Sequence, residues 1–227
     1  MGKVTIQKYT TINPITMIGF EAGVCQGADT SDNEKNYIRG IECLNNEHGR
    51  TFEFPDVYMT IEGYSARVIR EWYTHIGCLP TRLQESTRYI NYNDFEYVIP
   101  PSIDKKPEAW AVYINTIEHI KSNLKILEDL QVPREDIALL LPLGMTTKIV
   151  DKRNFRNLID MSHQRMCNRA YHEYRRLFND VCNALSNYSG EWKYLVDRYF
   201  EPKCKYSGVC KEKKSCGMIN KIYQEEK

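Results

Sequence analysis

Gln84, Glu85, Ser86, Thr87 and Arg88 set an amide, a carboxylate, two hydroxyls and a guanidinium side by side. Arginine offers a planar fork of donors that matches phosphate oxygens, hydroxyls supplement it, and a glutamine can read the edge of a base. The stretch 81–89 is answered further along the chain by Asn154 and Arg165, and two arginine-and-amide groups of this kind suit a phosphorylated, hydrogen-bonding ligand. Alone, the first string also reads as a solvated polar loop. No general base stands beside Ser86 in sequence, which assigns it to binding rather than to covalent catalysis. A second group is Cys204-x5-Cys210-x5-Cys216 in a lysine-rich tail. With Cys167 as a fourth ligand these thiolates would close a tetrahedral zinc site; the competing reading is a set of reduced thiols in a basic tail.

The elements that must position these groups follow from periodicity. Residues 1–20 read as an edge strand and a turn around Pro14, 29–33 as a polar loop, and 34–47 as a short helix. The β-rich run 57–61 stops at Glu62-Gly63, after which Val68, Ile69, Trp72 and Tyr73 fall at helical spacing and end near His75 and Gly77. Residues 77–101 form a long excursion punctuated by Pro80 and Pro100-Pro101, and long ordered loops in compact domains are usually functional. From 110 to 130, Tyr113, Ile117, Ile120, Leu124, Leu127 and Leu130 mark a helix with one buried face. Pro133 with Glu135 and Asp136 opens another short helix, closed by Pro142. The longest helical candidate is 154–185, with a stripe from Phe155, Leu158 and Met161 through Tyr174, Leu177 and Phe178 to Val181 and Leu185. Its other faces carry Asn154, Asn157, Asp160, His163, Arg165 and Arg175. One domain is expected over 1–200, followed by a Cys/Lys-rich tail over 201–227.

Composition narrows the function. A net charge of +1, from 31 Lys+Arg against 30 Asp+Glu, gives no field able to hold a polyanion regardless of sequence, so general nucleic-acid binding is not expected. No run approaches the ~20 apolar residues of a membrane span, and the N-terminus lacks the apolar core of a signal peptide. The expected location is the cytoplasm, where the eight cysteines would be mostly reduced.

Three motifs together resemble a known family. Leu141-Pro142-Leu143, then Asn154-x-Arg156-Asn157-Leu158, then Arg165, Ala170, Glu173 and Arg175 are similar to the C-terminal signature of the flavin-dependent thymidylate synthases. That signature reads Leu-Pro, Asn-x-Arg-Ser-Leu, Leu-Arg and Ala-Gln-x-Glu-Ile-Arg. Glu47-His48 with Phe52-Glu53 resembles the family's His-x-Ser/Thr-Pro-Phe-Glu element, and Ser86-x-Arg88-Tyr89 matches the end of its Arg-His-Arg-x-x-Ser-x-Asn-Glu-x-Ser-x-Arg element. The likeness covers roughly 35–185.

The resemblance implies an α+β chain with an antiparallel sheet and long helices, assembled as a homotetramer, with FAD and dUMP in a cleft shared between chains. In that family NADPH reduces the flavin, methylenetetrahydrofolate gives a one-carbon unit to C5 of the uracil ring, and reduced flavin supplies the hydride that completes the methyl group. Position by position, Arg88 would hold the dUMP phosphate with Ser86 and Thr87 beside it, and Gln84 stands where the family has Glu, next to Glu85. Arg165 would meet the pyrimidine and is the catalytic candidate. His48, Glu53, His75, Asn154 and Asp160 fall at flavin-side positions.

The departures are specific. Arg-His-Arg becomes Thr74-His75-Ile76, and the loop behind it carries two extra residues if Arg88 is held in register. Arg82 is the candidate replacement for one lost cation. Ala138 stands where the family has a ligand-binding Arg, with Arg134 one helical turn away; Asp160 replaces an Asn and Tyr171 a Gln. His75 is also readable as an ordinary histidine at a helix C-terminus, and Cys78 as packing. Two rivals stand beside the synthase. A hydroxymethylase of the same fold would let water quench the transferred methylene, and a non-catalytic homologue would keep the nucleotide cleft without the flavin.

Overall fold

Val57, Met59 and Ile61 are buried while their neighbours are not, the alternation of a strand with one face on a core. A computed structural model describes residues 2–219; Met1 and the last part of the expected tail, 220–227, lie outside the described residues. The elements in chain order are β1 (Lys3–Ile6), α1 (Pro14–Cys25), α2 (Asn33–Asn45), β2 (Asp56–Ser65), α3 (Ala66–Trp72) and β3 (Thr81–Gln84). There follow α4 (Pro101–Asp104), α5 (Pro107–Asp129), α6 (Arg134–Ile137), β4 (Thr146–Asn154), α7 (Phe155–Arg165), α8 (His172–Tyr188), α9 (Gly190–Tyr199) and α10 (Lys203–Tyr206). The four strands make one antiparallel sheet in the order β1-β2-β4-β3, so the chain is α+β as expected. No helix among the described residues is long and apolar enough to cross a membrane.

Four expectations are corrected. Residues 14–25 are a helix, not a turn, because Pro14 sits in its first turn, where its missing N–H costs nothing. Gly19 and Gly40 let α1 and α2 touch along their backbones: a Cβ on Gly19 would stand 1.7 Å from the Asn36 carbonyl oxygen. β2 does not stop at Glu62-Gly63; Gly63 takes φ +72°, shifting the alternation so that Tyr64 and Ser65 are both buried. The expected helix over 154–185 is two helices, preceded by β4, which periodicity missed. The break at 166–171 is a turn in which Ala170 N–H donates to the Cys167 carbonyl, and the Arg175 guanidinium donates to the freed carbonyls of Asn168 and Ala170. The longest helix is instead α5, and it ends at Asp129, leaving Leu130 exposed past its end.

The chain divides into two compact units. One comprises mainly Ile61–Thr74 and Leu83–Ile149, and its core sets Ile117 and Leu124 of α5 against Phe95, Ile137 and Met145. The other comprises Val4–Thr60, His75–Arg82 and the chain from Val150 onward. Its core is built on Phe155, whose ring meets those of Phe52, Trp192, Tyr199 and Phe200 at centroid distances of 5.5–6.0 Å. α8 adds Tyr174, Leu177, Phe178, Val181 and Leu185 at spacings of three and four, all fully buried. α1 is tied to α9 by Glu191, whose carboxylate accepts from Ile15 N–H (2.6 Å), Thr16 N–H (3.0 Å) and the Thr16 hydroxyl (2.6 Å).

Within this second unit a full guanidinium is buried. Arg153, 1% exposed, donates through Nε (2.5 Å) and Nη2 (2.8 Å) to the two carboxylate oxygens of Asp151, and through Nη1 to Asn157 Oδ1 (2.6 Å) and Met161 Sδ (2.7 Å). Removing one partner of such a pair leaves an uncompensated buried charge. Asp151→Ala should therefore cost about 3–5 kcal/mol in denaturant unfolding, and Asp151→Ala with Arg153→Met should recover most of it. A double variant as unstable as the single one would show that charge compensation is not what Asp151 provides.

Candidate functional site

α7 begins where β4 ends, and Asn154 at that junction is its N-cap, its side-chain oxygen accepting from Asn157 N–H at 3.0 Å. Asn157 Nδ2 in turn donates to the Gly77 carbonyl at 2.7 Å, fastening the loop that follows His75. At the far end of α7, Arg165 Nε donates to His75 Nε2 at 2.9 Å, and its guanidinium lies 4.4 Å from the centroid of the Tyr174 ring. The His75 ring meets Tyr174 edge-on. Burial first, then the charges of Arg165 and Arg153, hold the His75 pKa down at about 4, so the ring is neutral at physiological pH and its Nε2 accepts the hydrogen bond from Arg165. The resemblance paired these two positions with different ligands, flavin and pyrimidine; the fold joins them directly.

A second group surrounds the start of α7. Arg156 donates to the Glu53 carboxylate at 2.7 Å. The half-buried thiol of Cys78 is raised in pKa, by burial first and then by Glu53; it hydrogen-bonds Asn154 and feels Arg156 and Asp160. Three groups expected at the flavin side, Glu53, Asn154 and Asp160, thus converge with Arg156 on the loop that departs from the family pattern. In that loop Cys78 and Leu79 both take left-handed conformations (φ +57° and +51°), and Leu79 is 90% exposed. The extra length is absorbed as this protruding kink. His48 is exposed and caps the end of α2, its N–H donating to the Cys43 carbonyl. Arg82 lies half-buried on β3.

Arg156 and Asp160 also line a cavity of about 360 Å³ whose other walls include Leu44, Phe52, Ile159, Arg198 and Tyr199. Two guanidiniums over apolar and aromatic walls suit an aromatic group carrying phosphate. Arg198 was not legible as a site residue, since α9 reads only as an aromatic helix; Arg156 was visible in the Asn-x-Arg motif without a role attached.

In the first unit, Ser86 and Arg88 follow β3. Ser86 Oγ accepts from Arg88 N–H at 3.3 Å, and the Arg88 side chain, exposed, meets Glu135 of α6 at 2.9 Å. Gln84 and Glu85 are occupied by β4: Gln84 Nε2 donates to Thr147 Oγ1 (3.2 Å), and Glu85 exchanges bonds with the Lys148 backbone through its own N–H and carboxylate, each 3.0 Å. Their side chains anchor the strand from which Ser86 and Arg88 extend. Arg134, Ala138 and Thr87 line one cavity, and Arg134 donates to Glu128 (3.3 Å) and to the Tyr89 carbonyl (3.4 Å). The four expected metal ligands, Cys167, Cys204, Cys210 and Cys216, line a separate cavity of about 350 Å³ together with Arg165 and His163.

Known proteins share this sequence and fold. A flavin-dependent thymidylate synthase from Clostridium tetani is 25% identical, covering 97% of this chain and 96% of its own length. Another from Pyrococcus horikoshii is 28% identical over 94% of this chain and 91% of its own. The crystal structure of thymidylate synthase X from Helicobacter pylori with FAD and dUMP superposes with a TM-score of 0.67 at 18% identity, covering 88% of this chain and 99% of that one. The family described as "Thymidylate synthase complementing protein" matches residues 8–188, wider than the motifs alone suggested, and the chain belongs to that family.

Proposed function

We propose that this chain is a flavin-dependent thymidylate synthase acting in the cytoplasm. It methylates dUMP at C5 with methylenetetrahydrofolate as carbon donor and NADPH as reductant, and it works as a homotetramer. The observation that carries the reading is Arg165, a cation fixed between a neutral histidine and a tyrosine face, at the position where the family meets the pyrimidine. Support also comes from family membership and from the relatives, which are flavin-dependent thymidylate synthases.

The residues fit a flavin nucleotide. Arg156 and Arg198 offer two cationic forks on one cavity, Phe52 and Tyr199 offer ring faces, and Asn154 and Asp160 stand close by. Those side chains would hold FAD, which supplies the hydride that completes the methyl group. The remaining work belongs to the protein. Arg165, unable to lose its proton, stabilises negative charge gathering on the pyrimidine carbonyls as C5 becomes nucleophilic, and its fixed position avoids reorganisation during the reaction. His75 holds that guanidinium without adding a competing positive charge. Arg88 takes the phosphate with the Ser86 hydroxyl beside it. Releasing Glu135 costs little, because the Arg88–Glu135 pair is solvent-exposed.

Purified protein should bind FAD and show flavin absorption, and Arg156→Ala should weaken that binding about tenfold or more, as loss of a charge-assisted hydrogen bond does. A colourless protein that refuses added FAD would overturn the reading. By calorimetry, Arg88→Ala should weaken dUMP binding roughly 10- to 150-fold while leaving the weaker binding of deoxyuridine unchanged, the signature of a phosphate contact. An equal loss for both ligands would place Arg88 elsewhere.

The His75 histidine also predicts a pH dependence. Its folded pKa of about 4 lies below the ordinary 6.5, so the stability it contributes is complete above 6.5 and is lost as pH falls from 6.5 toward 4, where the unfolded chain takes up a proton that the folded one refuses. His75→Gln keeps an acceptor for Arg165 but cannot titrate. Thermal unfolding of that variant should fall less steeply over this window than the parent's, and identical slopes would contradict the assignment.

A further inference from the structure

We propose that Cys167, Cys204, Cys210 and Cys216 bind one zinc ion, which clamps the C-terminal tail onto the segment that follows Arg165. All four line one cavity within a single compact unit. Three of them lie beyond residue 188, where the family match ends.

Between α10 and residue 217 the chain has no regular secondary structure and contributes no fully buried side chain. What fastens it is polar and mostly wet: Arg169 meets Glu212 at 3.4 Å and donates to the Lys214 carbonyl at 2.6 Å, Asn168 Nδ2 approaches Cys216 Sγ at 3.8 Å, and Tyr206 stacks on His163 at 4.6 Å. Exposed ion pairs contribute little. Yet this path brings every tail cysteine to one wall, with left-handed Gly208 two residues before Cys210 and left-handed Gly217 directly after Cys216. Four of the eight cysteines converge there.

Four thiols on one cavity give the soft, anionic donor set that zinc takes in structural sites. Four Zn–S bonds form as four S–H protons leave to solvent, with no change of oxidation state, and the two negative charges left over face Lys203, Lys211 and Arg169 on the same cavity. Among the described residues no three ligating side chains already stand at coordination spacing, so binding must draw the thiols inward; the irregular tail can follow.

Elemental analysis of the full chain, purified without an affinity metal or chelator, should find about one zinc per chain, and X-ray absorption should show four sulfur neighbours at roughly 2.3 Å. Cys210→Ser should lose the metal, whereas Cys25→Ser, an exposed cysteine outside the cavity, should keep it. Chelation should expose the four thiols to alkylation and the tail to proteolysis while the fold survives. Less than about a tenth of an equivalent of zinc in the parent chain, or disulfides among these cysteines by mass spectrometry, would overturn the proposal. The readouts are metal content and thiol chemistry, so they stand or fall separately from the synthase reading.

Discussion

The site on α7 depends on one buried cation. Arg153 sits in the core at the end of β4, and its donors are divided between Asp151 on its own strand and Asn157 and Met161 on the helix that follows. Isolated, that charge would be prohibitively costly to bury; with its donors met, it fixes the angle at which the strand passes into the helix. Asn157, gripped by Arg153, then donates to the Gly77 carbonyl, so the loop behind His75 is held by the same network. The Arg153 charge also helps keep His75 neutral. One guanidinium thus sets the helix, the loop and the protonation state of the residue that receives Arg165.

This arrangement explains how a degenerate motif can still position a cation. Thr74 and Ile76 supply no charge where the family pattern has two arginines, and the extra residues escape into the left-handed kink at Cys78 and Leu79. The histidine remains, and what it does is structural in the first instance: it is an acceptor made reliable by burial. Around it, Glu53, Asn154, Asp160 and Arg156 gather on the loop side, and Arg198 joins Arg156 and Asp160 from a helix beyond the family match.

Legibility in the sequence tracked how local each signal was. α2, α3 and α5 were readable because one apolar face repeats at helical spacing. α1 was not, because its buried side holds Gly19 and Gly23 and its apolar residues run round the helix, so no stripe forms. β4 was hidden by charged residues, since the buried Asp151 and Arg153 alternate with Thr147 and Ile149 in a pattern that is apolar only after the ion pair is recognised. At the site, Arg88 and Arg165 carried motif signals, but the bond between His75 and Arg165 joins residues far apart in sequence and had none. Gln84 and Glu85 shared the polar character of their neighbours, and only the pairing of β3 with β4 distinguishes an anchoring side chain from a free one.

The proposed reaction carries a one-carbon unit and then a hydride to C5 of a pyrimidine nucleotide. Its most direct test is mass analysis of the nucleotide formed when the FAD-loaded protein is given dUMP, methylenetetrahydrofolate and NADPH. The expected product is dTMP. A 5-hydroxymethylated nucleotide, or unchanged dUMP from protein that binds both FAD and dUMP, would contradict it.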